Sequence, residues 1–231
     1  MFKKWEELPA FMRTEEVWPY WEALSRKRGQ IVLKRTFDFA AALGMTVVLA
    51  LPMGVIALLI RHDSPGPVFY RQERVTTCGK KFRIHKFRTM VSEADQIGSA
   101  VTVGNDARIT RLGAVLRKYR LDELPQLLDV LHGDMSFVGT RPEVSKYVDM
   151  YTPEYNATLL LPAGITSEAS IRFKDEAELL EASGDVDKAY MEIVLPPKMV
   201  MNLDSVKHFS VLQELLTMLR TVLAVLGKEY T

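Results

Sequence analysis

Between Phe39 and Ile60 the chain reads FAAALGMTVVLALPMGVIALLI, 22 residues without a charge. That is about the length a helix needs to cross a hydrocarbon core of roughly 30 Å. Whatever the 231 residues fold into, this run needs an apolar medium. Three placements compete: a single spanning helix, a buried core helix, and a re-entrant segment that enters and leaves one membrane face. Buried core helices normally carry a polar stripe, and this run has none. Pro52 sits near its middle, where it removes a backbone hydrogen bond and favours a kink or break. Arg26, Lys27, Arg28, Lys34 and Arg35 precede the run, and Arg61, Arg71, Arg74, Lys80 and Lys81 follow it. The positive-inside tendency then holds both ends in the cytoplasm. Length alone favours the spanning helix; a helix bent at Pro52 satisfies the proline and both flanks.

The run divides the chain into an N-terminal extension (1–32), a membrane segment (33–60) and a body (61–231). The extension holds all three tryptophans, Trp5, Trp18 and Trp21, which suit a membrane interface or a partner surface. It is broken by acids and prolines before any apolar stretch begins, unlike a cleavable secretory signal. In the body, SPGP (64–67) is loop chemistry, and VFYRQERV and FRIHKFRTM around TTCGKK predict a β-hairpin. Residues 91–105 read as a polar loop. ARITRLGAVLRKYR (107–120) has helical spacing of Ile109, Leu112, Val115 and Leu116. Asp122 is placed to cap a following helix with Pro125 in its first turn. SVLQELLTMLRTVLAVLGK (210–228) is an amphipathic helix, suited equally to a membrane surface or to the core.

The formal net charge of +1 hides an imbalance: basic residues crowd 61–120 and acidic ones gather around 175–192. This favours an anionic partner beside the first half and argues against a nucleic-acid binder. The single cysteine, Cys78, excludes an internal disulfide framework and any CxxC metal site, and fits a reducing, cytoplasmic setting. His62, His85, His132 and His208 show no ligand-like spacing and read as surface or hydrogen-bonded side chains.

The chemistry concentrates in RLDELPQLLDVLHGDMSFVGTRPE (120–143). Adjacent carboxylates on a helix point about 100° apart, so Asp122 and Glu123 suit two jobs on neighbouring atoms better than one shared job. The bland alternative is an N-cap followed by a favourable first-turn acid. Arg117, Arg120 and Arg141 add positive charge around the same helix start. Carboxylate, cations and helix dipole together describe a phosphoryl centre, where catalysis rests on positioning and charge neutralisation. GxxxxGK[ST], GxGxxG, HExxH and GxSxG are all absent, which removes the main support for P-loop, dinucleotide, zinc-protease and serine-hydrolase chemistry.

LDELPQLLDVLHGDMSFVGTRPE resembles the signature of the bacterial sugar transferases, the monotopic phosphoglycosyl transferases. The resemblance continues through LKRTFDF, GPVFYRQERV, FRIHKFRTM, ARITRLGAVLRKYRLDELPQ, PAGIT and MNLDSVKHFSVLQELL, and covers roughly Leu33 to Gly227. It implies transfer of a sugar-1-phosphate from a UDP-sugar to undecaprenyl phosphate, with release of UMP, as the initiating membrane step of bacterial glycoconjugate synthesis. By the same resemblance Asp122 is the nucleophile that takes the phosphosugar covalently and Glu123 assists transfer to the lipid. Mg²⁺ bridges diphosphate oxygens near Asp122, and Arg117 and Arg141 match phosphate-binding positions. Lys86 and Arg88 lie in the matching KFRTM block, as further phosphate or nucleotide ligands. The implied fold is an α-rich α/β domain, monotopic in the bacterial inner membrane with its catalytic face in the cytoplasm. A re-entrant helix-break-helix at Pro52, a short β-hairpin and amphipathic interfacial helices complete it. Anionic lipid headgroups are expected neighbours, and a second copy of the chain is a candidate partner. Three blocks depart from the family pattern: Leu51-Pro52 replaces Ser-Pro, VGTRP replaces VGPRP, and GITSEAS (164–170), followed by an acidic insert, replaces GITGWAQ. Two rival readings are a bitopic adaptor whose arginines bind lipid headgroups and a membrane phosphohydrolase that releases phosphate.

Overall fold

The computed structural model describes residues 2–92, 94, 106–173, 176, 180 and 185–225. The expected polar loop over 91–105 and the acidic insert lie mostly outside these residues, as does the end of the C-terminal segment. The protein is helix-rich α/β: a long apolar helix near the N-terminus, two small two-stranded sheets and several short helices.

The elements in chain order are α1 (Trp18–Ser25), α2 (Arg28–Asp63), β1 (Phe69–Val75), β2 (Lys81–Phe87), α3 (Arg111–Lys118), α4 (Gln126–His132), β3 (Met135–Val138), α5 (Ser145–Val148), β4 (Ala163–Thr166), α6 (Glu168–Arg172), α7 (Val186–Ala189), α8 (Leu195–Lys207) and α9 (Val211–Val225). A π-helical turn, Tyr190–Val194, joins α7 to α8.

The N-terminal extension is built into the core. Leu8, Met12, Val17 and Leu24 are buried against Val75, Ala157, Leu159, Leu203, Val206 and Phe209. Its tryptophans meet edge to face, Trp5 with Trp18 at 4.9 Å and with Trp21 at 5.6 Å between ring centres, while Trp18 stays 43% exposed. Edge-to-face packing suits the ring quadrupoles.

Helix α2 starts before Leu33 and runs to Asp63, with Pro52 inside it. The expected helix-break-helix is therefore one uninterrupted helical assignment; one proline removes a single ladder hydrogen bond, which the neighbouring turns can absorb. At 1.5 Å per residue its 36 residues measure about 54 Å along the axis. One stripe faces the protein: Ile31, Lys34, Asp38 and Ala42 are buried, and Leu49, Met53, Ile56 and Ala57 continue the stripe, partly buried, to buried Ile60. The rest points outward, including Leu43, Met45, Val47, Val48, Leu51, Val55, Leu58 and Leu59. At ~1.5–3 kcal/mol each, fully covering these eight with an apolar medium is worth roughly 12–24 kcal/mol. That is too much surface for a water-facing helix. Among the described residues α2 is the helix long and apolar enough to cross a membrane.

Both ends of α2 are fastened to the same body. Arg35 donates to the carbonyls of Val130 (2.5 Å) and Met135 (2.9 Å), Ser136 Oγ donates to Asp38 (2.7 Å), and Lys34 pairs with Glu214 of α9. At the other end Ile60 packs with Phe87 and Leu116.

The predicted hairpin forms: β1 and β2 pair antiparallel, with Tyr70 opposite Lys86. Cys78 turns the chain at φ 56°. The second sheet, β3 parallel to β4, was not anticipated from the sequence. Helix α9 turns its hydroxyls inward, Thr217 to Glu168 (2.6 Å) and Thr221 to Thr166 (2.8 Å), and leaves Leu212, Leu215, Leu216, Leu219 and Val222 outside. The apolar face of this amphipathic helix is thus not the one that packs on the protein.

Candidate active site

Helix α3 brings Arg117 to the site and stops at Tyr119; Arg120 then adopts left-handed φ/ψ (53°, 25°) and reverses the chain. Asp122 and Glu123 follow in a 3₁₀ turn, Leu121–Glu123, and α4 begins only at Gln126, after Pro125. Asp122 is therefore not the cap of α4, as its spacing predicted. Pro125 serves as the helix entry, since its missing N–H costs nothing there.

Both carboxylates are buried, 9% and 8% exposed. They face different surroundings. Glu123 Oε1 accepts from Lys86 Nζ at 2.8 Å and from Arg141 at 3.4 Å, and Oε2 lies 3.8 Å from Arg120. Burial alone would raise the Glu123 carboxyl, but Lys86, Arg141 and Arg120 outweigh it and hold the group well below the usual glutamate range. The Asp122 carboxylate makes no hydrogen bond or ion pair among the described residues. Burial lifts it above the ordinary aspartate value and Glu123 adds to the rise, against the pull of Lys86, Arg117 and Arg141. The dyad is thus split: one fixed anion that gathers cations, and one more basic carboxylate left open.

Lys86 reaches the dyad from β2, and burial pulls its ammonium below its ordinary value despite Glu123. Arg141, after β3, touches Glu123, and the surrounding carboxylates, Glu123 foremost, overcome burial and raise its guanidinium. Arg117 is held by Nε donating to Thr89 Oγ1 at 2.8 Å. The structure so brings Lys86, Arg117 and Arg141 to Asp122 and Glu123. Arg88 lines the same cleft, and its guanidinium donates to Ser64 O (2.7 Å), Ile60 O (3.4 Å) and Pro65 O.

Sequence reasoning missed the supports. Thr89, which orients Arg117, and Gly113, whose added Cβ would stand 2.0 Å from the Thr89 carbonyl, let α3 close on the strand end. Glu143 accepts from Tyr190 Oη at 2.6 Å and lies 4.0 Å from Arg74, which also donates to Pro142 O; together they brace the segment carrying Arg141. The adjacency in TRPE was the available signal. Of the histidines, His85 is hydrogen-bonded to Asp129 through both its ring Nδ1 (2.6 Å) and its backbone N–H (2.8 Å).

These groups line one open cleft of about 1050 Å³. Its walls include the dyad, Lys86, Arg117 and Arg141, and also Met45 of α2 and Ala224 and Val225 of α9. Anionic chemistry and outward-facing apolar helices share this space. Among the described residues no cluster of three or more His, Cys, Asp or Glu could hold a metal by itself. Mg²⁺, however, is commonly held by one or two carboxylates plus substrate phosphates. Glu123 is surrounded by cations, so the open Asp122 carboxylate is the group that fits such an ion.

The bacterial sugar transferase family model matches residues 29–228. The chain is 43% identical over 149 residues to the exopolysaccharide production protein PSS of Rhizobium leguminosarum bv. phaseoli, covering 62% of this chain and 74% of that one. It is 36% identical over 193 residues to a UDP-glucose:undecaprenyl-phosphate glucose-1-phosphate transferase of Caulobacter vibrioides, covering 82% and 68%. A UDP-N-acetylgalactosamine-undecaprenyl-phosphate N-acetylgalactosaminephosphotransferase of Aeromonas hydrophila is 40% identical over 142 residues; the match takes in 60% of this chain and 34% of that protein. With the family pattern spanning α2 to α9 and the dyad set among four cations, the chain belongs to the bacterial sugar transferase family.

Proposed function

We propose that the protein transfers a sugar-1-phosphate from a UDP-sugar to undecaprenyl phosphate at the cytoplasmic face of the bacterial inner membrane, releasing UMP. The observation that carries this reading is the single cleft lined both by the dyad with its cations and by Met45, Ala224 and Val225 of the outward-apolar helices. A soluble diphosphate and a membrane-borne phosphate can reach Asp122 in turn. The relatives' names, which specify undecaprenyl-phosphate sugar-phosphate transferases, support the same substrate classes.

An Asp122 carboxylate oxygen attacks the phosphorus that bears the sugar; the bond from that phosphorus to the oxygen bridging the two phosphates breaks, and UMP leaves. A phosphate oxygen of undecaprenyl phosphate then attacks the same phosphorus. The acyl-phosphate bond breaks, giving undecaprenyl-diphosphate-sugar and regenerating Asp122. Lys86, Arg117 and Arg141 neutralise phosphoryl oxygens during both displacements. Glu123, held anionic, keeps Lys86 and Arg141 at Asp122 and so assists both steps. Mg²⁺, when bound at Asp122 and the substrate diphosphate, supplies further charge neutralisation.

Helix α2 keeps both of its ends at the cytoplasmic face. Basic flanks on both sides favour this, and so do the attachments of both ends to one body, by Arg35 and Asp38 at the start and by Ile60 and Arg88 at the finish. A helix with ends on opposite faces would have to give up one set. Helix α9 lies in the interface with its leucines in the lipid.

The test is UMP release from a panel of UDP-sugars, with and without undecaprenyl phosphate. The reading expects UMP from at least one donor, and lipid-diphosphate-sugar when the lipid is present. Release of inorganic phosphate in place of UMP indicates a phosphohydrolase, and full biological function of Asp122→Asn indicates an adaptor.

A further inference from the structure

The block Lys86–Thr89 leaves β2 at the cleft, and its four side chains do four different things. Lys86 pairs with Glu123, Phe87 packs at 2% exposure with Ile60 and Leu116, and Thr89 holds Arg117. Arg88 reads the end of α2. Its Nη2 donates to Ser64 O at 2.7 Å and Ile60 O at 3.4 Å, and its Nη1 donates to Pro65 O and to Ser92 Oγ at 3.3 Å. Ser92 Oγ donates in turn to Pro65 O at 2.9 Å. Gly66, at φ +125°, closes the node: a Cβ there would stand 2.4 Å from Arg88 Nη1 and 2.5 Å from Ser92 Oγ.

Of these carbonyls, Ile60 O already accepts the Ser64 N–H at 3.3 Å, whereas Ser64 O and Pro65 O lie just past the last helical residue, where the helix supplies no donor. A planar guanidinium fork can satisfy several of them at once, which an ammonium cannot do with the same geometry. The node therefore ties the point where the apolar helix ends to a residue two positions from Lys86 and one from Thr89. We propose that Arg88 is a positioning residue that clasps the end of α2 to the strand end carrying Lys86 and Thr89, and so sets the register of Lys86 and Arg117 on the dyad. Its catalytic consequence rests on the transferase reading above. Anchoring of the apolar helix and alignment of the phosphate-binding cations become one mechanical unit, and a 1 Å misplacement in such a constellation costs about 100-fold in rate.

The experiment uses the full chain in lipid nanodiscs, with Arg88→Lys and Arg88→Gln. Steady-state UMP release gives kcat and KM for the UDP-sugar found active in the panel, and hydrogen exchange is followed over residues 60–68 and 126–132. Expected for both variants is a fall in kcat of about 100-fold with KM for the UDP-sugar within about threefold. Exchange over 60–68 should quicken about tenfold or more, with α4 keeping its wild-type protection. A rise in KM above about tenfold with exchange unchanged would make Arg88 a direct phosphate ligand and overturn the clasp. Quickened exchange with wild-type kcat would overturn its role in the reaction. If α4 loses protection in both variants, Ser92→Ala carries the same test at smaller amplitude. If the wild-type chain releases no UMP, the transferase reading fails by itself; unchanged exchange over 60–68 would then still overturn the clasp.

Discussion

Glu123→Gln separates the two dyad roles, because it removes a charge while keeping the shape. In the native site Glu123 is the shared counter-ion of Lys86, Arg141 and Arg120, and it is 8% exposed. Removing one partner of a buried ion pair costs about 3–5 kcal/mol. In a chain of this size that corresponds to a loss of roughly 6–20 °C in Tm at about 2–4 °C per kcal/mol. The folded pKa of Glu123 lies below its ordinary value, so its contribution is complete above about pH 4.3 and fades only in stronger acid. The deficit is therefore full at neutral pH. Activity should move in a second, independent way. Burial and, after it, the Glu123 charge raise the Asp122 carboxyl above its ordinary value. Without Glu123, Asp122 ionises at lower pH, so the acid limb of kcat/KM should shift to lower pH while the plateau falls. The assay is UMP release from pH 4 to pH 8 alongside thermal unfolding in the same detergent. A variant with wild-type Tm and an unmoved acid limb would refute the shared-counter-ion account.

Asp122→Asn should abolish transfer with Tm and membrane binding close to wild type, since Asp122 makes no bond that asparagine would lose; near-normal turnover would sink the covalent step. Arg141→Ala should lose about 100-fold or more in kcat/KM, whereas Arg172→Ala, at an exposed position, should stay near wild type; equal effects would remove Arg141 from the phosphate site. For topology, cysteines placed at Gln30 or Ser64 in a Cys78-free background should resist an impermeant probe from outside the cell and react once the membrane is opened. Pro52→Ala, a better helix former, should shift only some molecules toward spanning, because Arg71, Arg74 and the following lysines still favour the inside. Outside labelling at Ser64 with Pro52 intact would contradict re-entry.

What the sequence disclosed was whatever depends on local pattern. The apolar run, the hairpin around TTCGKK and the helix before Arg120 follow from period and turn chemistry, and the dyad with its arginines stands out as charge density. Long-range pairings were not legible. Strands β3 and β4 are four residues each and too short to show a period. Arg120 in the left-handed region is unusual for a residue with a Cβ, so nothing in RLDEL warned that Asp122 would enter a 3₁₀ turn and leave the cap of α4 to Pro125. The tryptophans suggest an interface for the extension, yet Leu8, Met12, Val17 and Leu24 stitch it into the core through partners some 50 to 200 residues away. Residue type and position alone place Arg88 among the phosphate ligands, while the carbonyls it serves lie across a loop.

A covalent phosphosugar on Asp122 is read out by intact-protein and peptide mass spectrometry. The full chain is incubated with the active UDP-sugar in the absence of undecaprenyl phosphate and then digested. The account predicts one burst of UMP, no more than one per enzyme, and the mass of one sugar phosphate on the peptide containing Asp122. Added undecaprenyl phosphate should discharge that mass, and Asp122→Asn should never acquire it. UMP formed only when the lipid is present, with no adduct trapped at any time, would contradict the account and indicate direct transfer between the two substrates.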